Sequence, residues 1–82
     1  QGQVNSETVN GRQYSGIGGQ LDHVRGAQIS EGGKSIIALN STAKNDTISK
    51  IVPYFQPGNI TTVPRYDVDY IVTEYGIAPL RL

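Results

Sequence analysis

Gly16, Gly18 and Gly19 crowd into the nine residues from Tyr14 to Asp22, and this run constrains the local fold more than any other stretch. Glycine accepts positive φ and, lacking Cβ, lets backbone N–H groups come close to a ligand. The residues before the run read as a strand-like lead-in, those after it as a helix. A turn that opens a helix aims free N–H groups and the positive end of the helix dipole at whatever lies before it. Such a turn suits an anion or a developing oxyanion. The spacing Gly16-x-Gly18-Gly19 is not the dinucleotide fingerprint, whose third glycine would fall at Leu21, and no Gly-Lys-Ser/Thr closes the run directly as a phosphate-binding loop requires. On local pattern alone an ordinary strand-to-helix turn fits equally well.

The flanking sequence predicts a strand-rich chain with one helix. Gln1 to Val9 alternates weakly and ends at the turn signal Asn10-Gly11, which fits an edge strand or a strand that has lost its partner. Gly19 to Ser30 reads as a short helix, with Leu21, Val24 and Ala27 or Gln28 forming a narrow apolar stripe. Asp22 lies in its first turn, where a carboxylate suits the dipole, and Gly26 is expected to allow close packing against a sheet. Gly32-Gly33 ends the helix. Ser35–Leu39 is a continuous apolar run that reads as a central strand covered on both faces. Ile48–Val52 reads as another strand, stopped by Pro53, and Gln56-Pro57-Gly58-Asn59 as a turn.

A last strand is expected from about Val68 to Glu74. Alternation puts Glu74 on the face of Val68 and Val72, at the carboxyl end where open α/β sheets place ligands. A rim position in solvent is the alternative. His23, the single histidine, makes neither a triad nor a metal site alone and is given no role.

Four blocks in order closely resemble the acetyl-CoA hydrolase/transferase family, including the 4-hydroxybutyrate CoA-transferases. They are Gln13–Asp22 with Val24-Arg25-Gly26-Ala27, then Gly32–Leu39, Ser49–Pro53, and Asp67–Ala78. The likeness covers nearly the whole chain and implies part of the C-terminal domain of such an enzyme. The fold implied is α/β, a fragment of a CoA-transferase-type sheet domain. The activity implied for the full-length protein is movement of CoA between an acyl-CoA and a carboxylic acid through a glutamyl-CoA thioester. Acyl-CoA hydrolysis and a non-catalytic binding module are the alternatives.

The resemblance also suggests residue roles. Gly18 and Gly19 are expected to supply amide donors, with Glu74 a supporting carboxylate. Gly16, Ile17, Gly18, Gly19, Gln20, Asp22 and Lys44 are expected to meet CoA or the acyl group. For the lysines Lys44 and Lys50, solvated surface positions are the alternative reading. None of Glu7, Glu31 and Glu74 has the setting of the attacking glutamate, which is expected upstream of these residues. Coenzyme A is then a substrate, with no permanently bound cofactor and no metal. Expected partners are the acyl-CoA, a small carboxylic acid and the remainder of the same polypeptide, in a homo-oligomer.

Composition narrows the classes. At 82 residues the chain is at most one small domain, and both ends are expected to be cut from a longer polypeptide. Seven basic residues balance seven acidic ones, and they are scattered, so no patch suits nucleic acid. No apolar run approaches the roughly 20 residues that span a bilayer. The absence of cysteine removes disulfides, thiolate metal sites and thiol nucleophiles, and a cytoplasmic setting is expected. Three Asn-x-Ser/Thr triplets, at Asn40, Asn45 and Asn59, carry weight only in a secreted protein.

Overall fold

The computed structural model describes residues 2–80. In chain order the elements are β1 (Thr8–Val9), β2 (Arg12–Gln13), α1 (Gln20–Ile29), β3 (Ile36–Ala38), β4 (Thr42–Ala43), β5 (Ile48–Ser49), a 3₁₀ turn (Arg65–Asp67), β6 (Tyr70–Thr73) and β7 (Gly76–Pro79). β1 and β2 form a hairpin about Asn10-Gly11, with Thr8 opposite Gln13. β4 and β5 form a second one. The remaining strands make a three-stranded sheet in the order β3-β6-β7. β3 and β6 are parallel, with Ile36 opposite Tyr70 and Ala38 opposite Val72, and β7 returns antiparallel on β6. The expected α/β mixture, strand-rich with one helix, is present.

Three valines far apart in sequence seal the core: Val24 on α1, Val63 in the connection before the 3₁₀ turn, and Val68 at the approach to β6. Val4, Leu21, Ile37, Ile71 and Leu80 pack around them. Burying one such side chain stabilises by roughly 1.5–3 kcal/mol. Val4 reaches the core through a bridge to Val63, in which its N–H donates to Val63 O at 3.0 Å and its carbonyl accepts from Val63 N–H at 3.1 Å.

A buried polar knot holds the helix to the sheet. The Ser35 hydroxyl donates to Asp67 O at 2.6 Å and accepts from Asp69 N–H at 2.9 Å. Asp69 Oδ2 accepts from Ser35 N–H at 2.9 Å, and Gln28 on α1 donates to Asp69 Oδ1 at 3.2 Å. The end of α1 is thereby tied to the starts of both parallel strands. Leu21, two turns earlier, shares a cluster with Ile37 and Ile71. The start of α1 packs on the valine core and its end is held by the Ser35–Asp69 knot. The Arg25–Asp67 ion pair, at 3.5 Å with Arg25 over half exposed, adds little.

Several sequence expectations need correction. Ser35–Leu39 is not the central strand: β3 is an edge, with Ile36 56% exposed, and β6 is central. Its apolar run marks a strand with an unfilled face in this chain. Ile48–Val52 yields only the two residues of β5. Of the first segment, Val4 forms a bridge and Thr8–Val9 half a hairpin, where an edge strand or a strand without its partner was expected; Gln1 lies outside the described residues. Gly26 meets nothing within 4 Å of a Cβ built on it, so it gives no close approach to a sheet. The last strand stops at Thr73. Glu74 and Tyr75 are the two-residue turn between β6 and β7, with Thr73 paired to Gly76, so Glu74 does not lie on the apolar face.

Candidate functional site

The glycine turn is held from below and open above. Its lead-in continues the β1/β2 ladder: Tyr14 N–H donates to Glu7 O at 2.7 Å, and Ser15 N–H to the same oxygen at 3.3 Å. The Ser15 hydroxyl reaches Ser6 O at 3.3 Å, and Gln13 Nε2 also donates to Ser15 O. Beyond Ser15 the chain is exposed through Gly19. Gly18 has φ +59°, and a Cβ built on Gly16 or Gly18 would meet nothing within 4 Å. Among the described residues no acceptor engages the N–H of Gly16, Ile17, Gly18 or Gly19. Gly19 caps the helix, its carbonyl accepting from His23 N–H at 3.1 Å. The first N–H groups of α1, those of Gln20, Leu21 and Asp22, are free of helical partners by construction. The Asp22 side chain is exposed in that first turn.

This arrangement presents several amide donors to one side of an uncovered loop, with a helix dipole behind them. Gln20 adds an acceptor. Its Oε1 is buried and has no donor among the described residues. A ligand bearing a charged or developing oxyanion and a nearby N–H would satisfy both kinds of group.

Glu74 occupies a different place. Its Oε1 accepts from Ser41 N–H at 2.8 Å, tying the β6–β7 turn to the segment that leaves β3. The Ser41 hydrogen bond holds the carboxyl below its ordinary range, opposed by partial desolvation and assisted by Lys50. The folded state therefore resists protonation more than the unfolded chain. The contribution to stability is complete above the ordinary glutamate range and is lost as the pH falls through the lowered value. Melting midpoints of wild type and Glu74→Gln are expected to differ at neutral pH and converge in acid; a constant difference would remove the role of the Ser41 tie.

Lys44 lies in the β4–β5 turn, where it, Asn45 and Asp46 all have positive φ. Its carbonyl accepts from Thr47 N–H at 3.2 Å, and its side chain is exposed. No hydrogen bond among the described residues joins the glycine turn to Glu74 or to Lys44. Gly16, Ile17, Gly18, Gly19, Gln20 and Asp22 lie together on one exposed turn and the first turn of α1. Glu74 and Lys44 belong to separate loops. No trio of Asp, Glu or His among the described residues is placed to hold a metal ion, and no described helix is long and apolar enough to cross a membrane.

Sequence reasoning missed Glu7, Thr62 and Ser41. Glu7 is buried, and its carboxylate accepts from the Thr62 hydroxyl at 2.8 Å and from Gln13 Nε2 at 3.0 Å. Local sequence carries half of this signal. Asn5 Oδ1 accepts from the N–H groups of both Glu7 and Thr8, at 3.1 and 3.0 Å, the Asx turn that Asn5-Ser6-Glu7-Thr8 favours. The pairing with Thr62 spans 55 residues and leaves no local trace.

A family model for the acetyl-CoA hydrolase/transferase C-terminal domain matches residues 1–82. The chain is 58% identical over 80 residues to a succinyl-CoA:cyclohexane-1-carboxylate CoA transferase of Geobacter metallireducens, covering 98% of this chain and 18% of that protein. It is 51% identical over 80 residues to a 4-hydroxybutyrate coenzyme A transferase of Clostridium kluyveri, covering 98% and 19%. Its fold is similar to the crystal structure of RipA from Yersinia pestis, with a TM-score of 0.83 at 52% identity, covering 98% of this chain and 18% of that one. The chain therefore spans under a fifth of the length of these relatives.

Proposed function

The chain belongs to the acetyl-CoA hydrolase/transferase C-terminal domain family, and from that premise we propose that it forms part of a CoA-transferase whose glycine turn receives the acyl carbonyl of the substrate. The observation that carries the reading is the set of unengaged amides from Gly16 to Gly19 at the head of α1. In the proposed reaction a glutamate elsewhere in the polypeptide attacks the thioester carbonyl. Negative charge builds on the carbonyl oxygen, where preorganised N–H donors act most strongly. Collapse of the adduct breaks the C–S bond, releasing CoA thiolate and leaving a mixed anhydride. The thiolate then attacks the glutamyl carbonyl, giving the glutamyl-CoA thioester and the free acid. An incoming carboxylate reverses both steps and leaves as the new acyl-CoA. Covalent catalysis of this kind divides one hard step into easier ones.

In this scheme CoA is substrate, and no resident cofactor is called for. The partners are the acyl-CoA, a small carboxylate and the rest of the polypeptide. The relatives' names place 4-hydroxybutyrate and other carboxylates among the acceptors to try, and Lys44 and Asp22 would act at the margins of the CoA site. The full-length protein would be a cytoplasmic homo-oligomer.

Surface composition supports the dependence on a larger body. An open apolar groove of about 750 Å³ runs between Gly2-Gln3 and Ile51–Phe55, and it includes neither the glycine turn nor Glu74. Tyr54 there is 86% exposed. The groove fits contact with the remainder of the polypeptide.

The deciding experiment incubates the full-length protein with acetyl-CoA or 4-hydroxybutyryl-CoA, with and without a second carboxylate. Formation of a new acyl-CoA with no loss of total thioester supports transfer. Free CoA appearing at the same rate without an acceptor would make the protein a hydrolase, and neither product would leave a binding module.

A further inference from the structure

We infer that Glu7 is a positioning residue for the glycine turn, an inference that rests on the reading of that turn as the acyl-carbonyl site. Glu7 grips the turn's lead-in twice. Its carbonyl oxygen takes the N–H of both Tyr14 and Ser15, and its Oε1 takes the Gln13 amide at 3.0 Å. Its Oε2 is in turn held by the Thr62 hydroxyl at 2.8 Å, and that hydroxyl also accepts from Ser6 N–H at 2.9 Å. Thr62 is itself buried and fixed by its own N–H to Val4 O at 2.6 Å, next to the bridge that carries Val63 into the core. A continuous path of hydrogen bonds thus runs from the core to Ser15, one residue before Gly16.

The chemistry of the brace argues for positioning over stability. Among the described residues no Lys or Arg pairs with Glu7, so a carboxylate is buried against two neutral donors. Such burial is a poor stabiliser compared with apolar packing. What a carboxylate supplies is two acceptor oxygens in fixed directions, here one for the lead-in strand and one for the core. Beyond Ser15 the turn touches little, so its aim depends on where Gln13–Ser15 are held. Misplacement of reacting groups by a fraction of an ångström is enough to slow an enzyme severalfold or more.

The test uses the full-length protein and four variants. Glu7→Gln keeps the shape but places an N–H₂ where one acceptor stood. Thr62→Val removes the hydroxyl at constant volume, and Thr62→Ser retains it. Glu7→Gln and Thr62→Val are expected to lower kcat about tenfold with KM for the acyl-CoA nearly unchanged, because donors that act on developing charge are lost from the transition state. Thr62→Val leaves Glu7 Oε2 and the Ser6 N–H without that partner, so its melting midpoint should fall as well, and kcat is read per folded enzyme; Thr62→Ser should behave as wild type. If activity falls only in proportion to folded protein, Glu7 is structural and the inference is overturned. Should Glu7→Gln fail to fold, the Thr62 pair decides alone. Gly18→Val separates the two readings. If it slows turnover while Glu7→Gln and Thr62→Val do not, only the brace is wrong. If Gly18→Val leaves turnover intact, the carbonyl site is wrong, and any effect at Glu7 has another origin.

Discussion

Gly18→Val in the full-length protein is expected to reduce kcat about a hundredfold, the usual effect of losing one oxyanion donor, while the protein remains folded. At φ +59° an L-residue sits in the left-handed region at a cost of roughly 1–2 kcal/mol, and a β-branched one is least suited to it. Yet a Cβ at Gly18 meets nothing within 4 Å, so no packing is broken. The strain can be relieved only by turning the local backbone, which re-aims the amides of Gly18 and Gly19. Gly18→Asn, which tolerates positive φ, should keep much more activity. Steady-state kinetics of both variants check this. Equal loss in both would point to side-chain bulk in a binding cleft, and no loss in either would leave the turn a purely structural link.

The second large effect concerns two glycines seven residues apart with opposite expected signs. A Cβ on Gly33 would lie 1.9 Å from Ala27 O and 2.0 Å from Ser30 Oγ. Gly33 N–H also donates to Ser30 O at 2.9 Å, so the chain is pressed against the end of α1. Alanine there must push the segment away from the helix and drag Ser35 out of its buried knot. A loss of about 3 kcal/mol is expected, at the upper end for overpacking, together with a fall in soluble yield. Gly26 lies mid-helix with open space around it, and Gly26→Ala should stabilise by about 1 kcal/mol through helix propensity. Thermal unfolding of the two full-length variants tests the pair. A neutral Gly33→Ala would mean the α1–β3 connection is freer than its geometry implies.

The parts of this fold that rest on neighbouring residues were legible in the sequence. Leu21 and Val24 marked the inner stripe of α1, Asn10-Gly11 the first hairpin, and Gln56–Asn59 a turn closed by Asn59 N–H to Gln56 O at 3.1 Å. The turn at Gly16–Gly19 was readable because the backbone freedom of glycine is a local property. Glu74 was misplaced for a physical reason. Val68–Glu74 alternates as a strand does, and the turn at Glu74-Tyr75 has neither Asn-Gly nor Asp-Gly. It relies instead on Gly76 and on a hydrogen bond from Tyr75 N–H to Thr73 Oγ1 at 3.1 Å. Ile36 to Leu39 suggested a strand covered on both faces because a continuous apolar run reads that way, whereas β3 is paired on one edge only among the described residues and Ile36 is 56% exposed. Glu7 and Thr62 could not have been joined from sequence at all, since only the tertiary fold brings them together.

Among the described residues the outer margin of β3 carries no paired strand. Main-chain groups along it point outward beside the side chain of Ile36, and such margins recruit further strands. Copies of this 82-residue chain can therefore add to one another backbone to backbone. Its solubility ceiling would be set by concentration, and a cap over that margin, such as a lysine in place of Ile36, would raise the ceiling without touching the chemistry.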